Sequence, residues 1–145
     1  MEKLTESRVD IALEHFRNGY NCAQAVFVTY ADLFGLEEEQ AAKIASPLGG
    51  GLGGMRQVCG TVSGMSLMAG LFNGTSRPAD KEGKKIHYDT VRLLSDEFKA
   101  EHGSIRCSQL LGLEPGMPEG MKKKPCSEYV RTCASLIEKH LLSDK

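Results

Sequence analysis

Apolar residues recur at helical spacing along almost the whole chain, and no run of alternating apolar and polar residues indicates a strand. The pattern therefore predicts an all-α bundle of about five main helices plus short helical turns. The predicted helical segments are 5–17, 21–34, 37–46, 59–72 and 79–101, a short turn within 104–112, and a last helix that begins at Pro125. Thr5 and Asn21 are the predicted caps of the first two helices. Because no internal repeat or second domain is visible, residues 1–145 are interpreted as one domain.

Composition argues against several classes of function. The 18 basic and 19 acidic residues give a formal net charge of −1, which provides no global reason to expect nucleic-acid binding. No stretch approaches the ~18 apolar residues of a membrane span, and the first residues lack the pattern of a signal peptide. We therefore expect a soluble, cytoplasmic protein, and the sequence leaves open whether it is a homo-oligomer.

The five cysteines are the residues that point most directly to chemistry. A chain of 145 residues does not need disulfides or metals merely to fold, and clustered thiols in the cytoplasm usually indicate metal binding or redox work. No CxxC or CxxCH occurs, so the motifs that usually indicate a zinc ribbon, a thioredoxin site or covalent haem attachment are absent. Any shared site has to be assembled by the fold.

Four cysteines are predicted to lie in the first turns of helices. Unpaired N–H groups and the helix dipole stabilise a thiolate there, so these positions predict lowered pKa values. Arg56, Arg106 and Lys122–Lys124 lie close in sequence to three of the four and are expected to add to this effect. The fifth, Cys133, belongs to an apolar stripe and is interpreted as a buried small hydrophobe. The four cysteines at helix starts are Cys22, Cys59, Cys107 and Cys126.

A glycine-rich segment, "PLGGGLGGMRQVCG", leads into Cys59. It contains GxGxxG, but a predicted helix precedes it and glycine occupies position 74, about where a dinucleotide fold needs an acid, so a nucleotide site is not expected. Gly53 and Gly54 are instead predicted to let backbone N–H groups surround Cys59 as a nest that binds an anionic sulfur or cofactor. Gly60 and Gly64 extend this predicted cofactor-binding surface on one side of the next helix, where a neighbouring helix can approach closely.

These motifs together resemble the C_GCAxxG_C_C family of redox-active proteins over about residues 15–135. The matching motifs, in order, are "GYNCAQAV", "GGGLGGMRQVCGTVSG", "RCSQLLG" and "KKKPCSEYV". Thr61 departs from the alanine usual in the family, and its hydroxyl is equally suited to bonding the Cys59 sulfur or capping the helix. The resemblance implies a compact helical domain for electron or thiol transfer, with an oxidoreductase or transporter-linked partner. The family is also similar to a domain of split-Soret cytochrome c, but haem is not implied here because CxxCH is absent.

Three functions follow from these observations and stay open at this point. Cys22, Cys59, Cys107 and Cys126 can converge as ligands of an iron–sulfur cluster or another metal. Alternatively, Cys22 and Cys59 form a catalytic thiol–disulfide pair. The third interpretation is a noncatalytic helical binding module whose thiols only pack. The sequence identifies neither a substrate nor an enzymatic reaction.

Overall fold

The computed structural model describes residues 2–114 and 125–143 and confirms the predicted all-α architecture. Short 3₁₀ turns span Asp32–Phe34 and Ser46–Leu48, and a π-helical turn, Glu138–Leu142, extends the last helix. The α-helices are α1 (Val9–Arg17), α2 (Cys22–Ala31), α3 (Glu38–Ala45), α4 (Gly60–Asn73), α5 (Lys81–His102), α6 (Cys107–Leu110) and α7 (Cys126–Ile137).

Local capping explains where the helices that frame the site begin. The Asn21 side chain accepts a hydrogen bond from the N–H of Gln24, and the Gln24 side chain accepts one from the N–H of Asn21. This reciprocal pair is a capping box, as the sequence predicts, and it fixes the start of α2. The prediction that Thr5 caps α1 is wrong, because α1 begins only at Val9, after Arg8, with no side-chain cap.

Helix α2 lies at the centre of the bundle. Every residue of α2 from Ala25 to Ala31 is buried, and α1, α3, α4 and α7 all contact it. The buried faces of α4 and α7 join α2 in one hydrophobic core, which includes Met65, Val130 and Ile137. This arrangement brings the N-termini of α2, α4 and α7 to one region of the molecule. In the described part of the chain, no helix is both long and apolar enough to cross a lipid bilayer.

Candidate functional site

The four cysteines selected from the sequence do lie at helix starts. Cys22, Cys107 and Cys126 are the first residues of α2, α6 and α7, and Cys59 directly precedes α4. Pro125 precedes the last helix instead of beginning it, a difference of one residue. The sequence signals therefore placed all four thiols correctly along the helices.

These four cysteines line a single cavity of about 50 Å³. Cys59 and Cys107 are only 6% and 8% exposed, whereas Cys22 and Cys126 are half-buried at the edge of the cavity. Apolar groups form most of the remaining wall, which is the kind of surface that excludes water and strengthens electrostatic interactions inside it. The other lining residues are Gly50, Arg56, Gly60, Thr61, Leu110, Leu111 and Tyr129.

Backbone pairing between two loops holds Cys59 and Cys107 side by side. Val58 and Arg106 form an isolated antiparallel bridge. The N–H of Cys59 donates to the carbonyl of Ile105 at 2.7 Å, and the N–H of Cys107 donates to the carbonyl of Gln57 at 2.6 Å. Both cysteine N–H groups are thus used for pairing the loops, and the pairing joins the starts of α4 and α6.

Two glycines allow α4 to pack closely against α2 beside the cavity. A Cβ atom on Gly60 would lie 2.3 Å from the Cys22 sulfur, and one on Gly64 would lie 2.7 Å from the carbonyl oxygen of Ala23. Both distances are far below ordinary van der Waals contact, so a side chain at Gly60 would displace the Cys22 sulfur, and one at Gly64 would press against the backbone of α2. The predicted close approach of a helix at Gly60 and Gly64 is therefore present, and it places the Cys22 sulfur next to the start of α4.

The glycine-rich loop has a different role from the predicted one at Gly53 and Gly54. The five residues from Gly50 to Gly54 all have positive φ, so the loop makes a left-handed turn that glycine tolerates best. The N–H groups of Gly53 and Gly54 donate to the carbonyls of Pro47 and Gly49, at 2.7 and 3.1 Å. Both glycines are exposed, and the cavity is lined by Gly50 instead. The predicted N–H nest of Gly53 and Gly54 around Cys59 is therefore not formed.

The predicted lowering of the Cys59 pKa is also wrong for the thiol as it stands in this fold. Burial raises the pKa of Cys59 to about 11, although a hydrogen bond with Thr61 acts in the opposite direction. The Cys59 sulfur and the Thr61 hydroxyl are 3.0 Å apart. Loss of hydration on burial outweighs the favourable dipole of the helix start, so Cys59 is a protonated thiol at neutral pH when no metal is bound.

Cys133 lies nearer to this site than the sequence indicated. It is completely buried, as predicted, and burial raises its pKa. Thr61 lowers the pKa of Cys133 as it does that of Cys59, so this one residue lies beside a cavity sulfur and a fifth sulfur behind the cavity. No sequence spacing reveals this connection, because it depends on how α4 packs on α7.

Among the basic residues that the structure describes, Arg56 reaches a cavity sulfur. Its guanidinium Nη1 donates to the Cys107 sulfur at 3.7 Å. Arg106, which precedes Cys107 in sequence, instead forms an ion pair with Glu114 at 3.0 Å. Lys122–Lys124 lie outside the described residues. Of the two predicted basic neighbours that the structure describes, Arg56 contacts a cavity sulfur, and this sulfur belongs to Cys107 and not to Cys59, its neighbour in sequence.

The arrangement of donors is suited to sulfur chemistry but is not yet closed around a metal. Across residues 2–114 and 125–143, no three Cys, His, Asp or Glu side chains are already close enough to hold one ion. Cys22, Cys59, Cys107 and Cys133 form no disulfide in the described chain. The thiols surround a common space, and binding would require them to move inward.

A family model described as "Putative redox-active protein (C_GCAxxG_C_C)" matches residues 20–140. This region contains all five cysteines and the glycine-rich loop. Neither the curated proteins nor the solved structures contain a significant match to the chain.

Proposed function

Since the chain belongs to the C_GCAxxG_C_C family of redox-active proteins, we propose that its cysteine cavity is the redox centre and that Cys22, Cys59, Cys107 and Cys126 bind a metal ion or iron–sulfur cluster together. The observation that carries this proposal is the convergence of four thiols from four helix starts on one cavity. A disulfide uses two sulfurs, whereas four cysteine thiolates are the usual ligand set of iron–sulfur clusters and structural zinc.

The residues present fit such a group by their donor chemistry. Four soft sulfur donors favour iron–sulfur clusters, zinc and copper(I) over magnesium or calcium. The missing side chain of Gly60 leaves the space that the Cys22 sulfur occupies beside the cavity. When bound, a cluster would supply a one-electron redox couple, and the chain's own residues would hold it, exclude water and compensate its negative charge.

Metal content and spectra of protein purified without oxygen test this proposal. Wild-type protein reconstituted with iron and sulfide is expected to retain iron after desalting. Alanine substitution of any of the four cavity cysteines should reduce metal content strongly. Cys133→Ala is the matched control, since Cys133 is buried but does not line the cavity, and it should keep metal. Wild-type protein that holds no metal after reconstitution would refute the proposal.

A second candidate, a Cys22–Cys59 thiol–disulfide pair, is favoured by one specific contact. The Cys22 sulfur lies against Gly60, the residue that follows Cys59, and the two thiols are close enough to influence each other electrostatically. A disulfide needs Cα atoms about 4.4–6.8 Å apart, which neighbouring helix starts can provide. Oxidation would remove two electrons and two protons from the pair and transfer them to a disulfide or quinone oxidant.

Peptide mass spectrometry after mild oxidation separates this candidate from the first. A linked Cys22–Cys59 peptide in protein that binds no metal would support the thiol–disulfide pair. If neither metal nor a disulfide forms, the noncatalytic binding module is the remaining interpretation. Slow alkylation of all five native thiols would agree with that outcome.

A further inference from the structure

Arg56 combines two features that are rarely found in one residue. Its guanidinium donates to the Cys107 sulfur at 3.7 Å, and its backbone has a φ of 61°, in the left-handed region that non-glycine residues seldom adopt. Backbone strain of this kind persists only where the surrounding structure enforces it, and it is concentrated at functional sites.

The surrounding loop enforces this conformation from both sides. The N–H of Arg56 donates to Gly50 at 3.0 Å, and its carbonyl accepts a hydrogen bond from Ser108 at 3.2 Å. A Cβ on Gly51 would lie 2.7 Å from the Arg56 Cα, so Gly51 makes room for this backbone. The glycine-rich loop therefore holds Arg56 in place across the start of α6.

From these contacts we infer that Arg56 is a positioning residue that compensates negative charge on the Cys107 sulfur and thereby sets the redox potential of the cysteine centre. A charged N–H donor beside a sulfur stabilises extra negative charge there, particularly next to an apolar cavity. The effect on potential rests on the proposed function, whereas the contact between Arg56 and the Cys107 sulfur does not. The Arg56 contact joins residues 51 positions apart, so proximity in sequence does not reveal it.

The decisive comparison is between Arg56→Gln and Arg106→Gln. Each substitution removes one positive charge near Cys107, but Arg106 is paired with Glu114 and only Arg56 contacts the sulfur. The first measurement is the rate at which iodoacetamide alkylates Cys107 in reduced, metal-free protein at one fixed pH, followed by peptide mass spectrometry. This reagent is neutral, so its local concentration does not depend on the protein's charge.

Arg56→Gln should slow the alkylation of Cys107 by about threefold to tenfold, and Arg106→Gln should leave it within about twofold of wild type. Arg56→Lys should restore part of the rate because it keeps the charge. Equal rates in the two glutamine variants would overturn the inference. Faster alkylation in Arg56→Gln would overturn it too, since that result identifies Arg56 as a steric cover.

The second measurement is the midpoint potential of the protein loaded with iron and sulfide, in a titration with dithionite as the one-electron reductant. A tenfold loss of stabilisation of the reduced state corresponds to about 59 mV, so Arg56→Gln should lower the potential by up to this amount. Arg56→Gly should lower it similarly while melting no earlier than wild type, because glycine relieves the strained φ. Failure of wild type to bind metal refutes the proposed function and leaves the alkylation test intact. An unchanged potential in both Arg56 variants overturns the inference.

Discussion

Replacement of Gly60 by alanine should damage the site more than the fold. The added Cβ would lie 2.3 Å from the Cys22 sulfur, whereas ordinary contact begins at 3.4 Å. The sulfur must therefore retreat by about 1 Å, because repulsion rises steeply below contact distance. Metal–sulfur bonds near 2.3 Å tolerate errors of only about 0.2 Å, so a Cβ that restricts the positions open to the Cys22 sulfur should weaken Cys22 as a ligand when the thiols close on a metal.

The cost to folding should be smaller, because the atom displaced first is the end of a side chain. The carbonyl of Leu48, 3.0 Å from the added Cβ, is the nearest backbone atom and adds a modest strain. Alanine is preferred over glycine in helices by about 0.5–1 kcal/mol, which offsets part of this cost. We expect the free energy of unfolding of Gly60→Ala to stay within about 1 kcal/mol of wild type.

Gly70→Ala is the matched control in the same helix. A Cβ at Gly70 meets no atom within 4 Å, so the substitution should raise stability by about 0.5–1 kcal/mol and Tm by about 1–4 °C. Thermal unfolding of metal-free protein measures stability, and competition with a chelator measures metal affinity. Gly60→Ala should lose metal affinity by at least about tenfold, and Gly70→Ala should not. Equal metal affinity in the two variants would refute the assignment of Gly60 to the site.

Three further predictions concern the neighbouring groups. Gly64→Ala places a Cβ 2.7 Å from the Ala23 carbonyl oxygen, so it should push α4 away from α2. This overpacking should lower the free energy of unfolding by about 1–3 kcal/mol. A stability equal to that of Gly70→Ala would contradict this account of the packing. In metal-free protein, burial raises the pKa of Cys59 to about 11, so folding favours the protonated thiol. The contribution of this thiol to the free energy of unfolding is complete below about pH 9 and is lost as the pH rises through 11. Unfolding measured as a function of pH should therefore show destabilisation at alkaline pH. Thr61→Val removes a hydroxyl that lowers this pKa, so the pH at which Cys59 alkylation accelerates should move upward, while an unchanged profile would show that the 3.0 Å contact has no energetic effect.

The helix starts could be predicted from sequence because their signals are local. Asn21 and Gln24 form the capping box of α2 within four residues, and Pro125 marks the residue directly before α7. These signals depend on the hydrogen-bonding capacity of one turn and need no tertiary information. The start of α1 was misplaced because Thr5 has a capping side chain but lies before the observed first turn.

The electrostatics of the site could not be predicted in the same way. Helix-start logic predicts a lowered pKa for Cys59, but the sign depends on how much water remains around the sulfur, which packing decides. Likewise, Arg106 is nearer to Cys107 in sequence, yet Arg56 contacts it because the two loops pair at Val58 and Arg106. The sequence shows that the loop is rich in glycine, but it does not show that the N–H groups of Gly53 and Gly54 bond to carbonyls within the loop's own left-handed turn.

The pairing of the loops before α4 and α6 also has a consequence for folding. Its hydrogen bonds join segments far apart in the chain, and contacts of this kind form only after the intervening loop has closed. We therefore expect Cys59 and Cys107 to stay apart in a partly folded or newly synthesised chain. Completion of the bundle assembles the sulfurs, so under the proposed function the redox centre would form only when folding is finished.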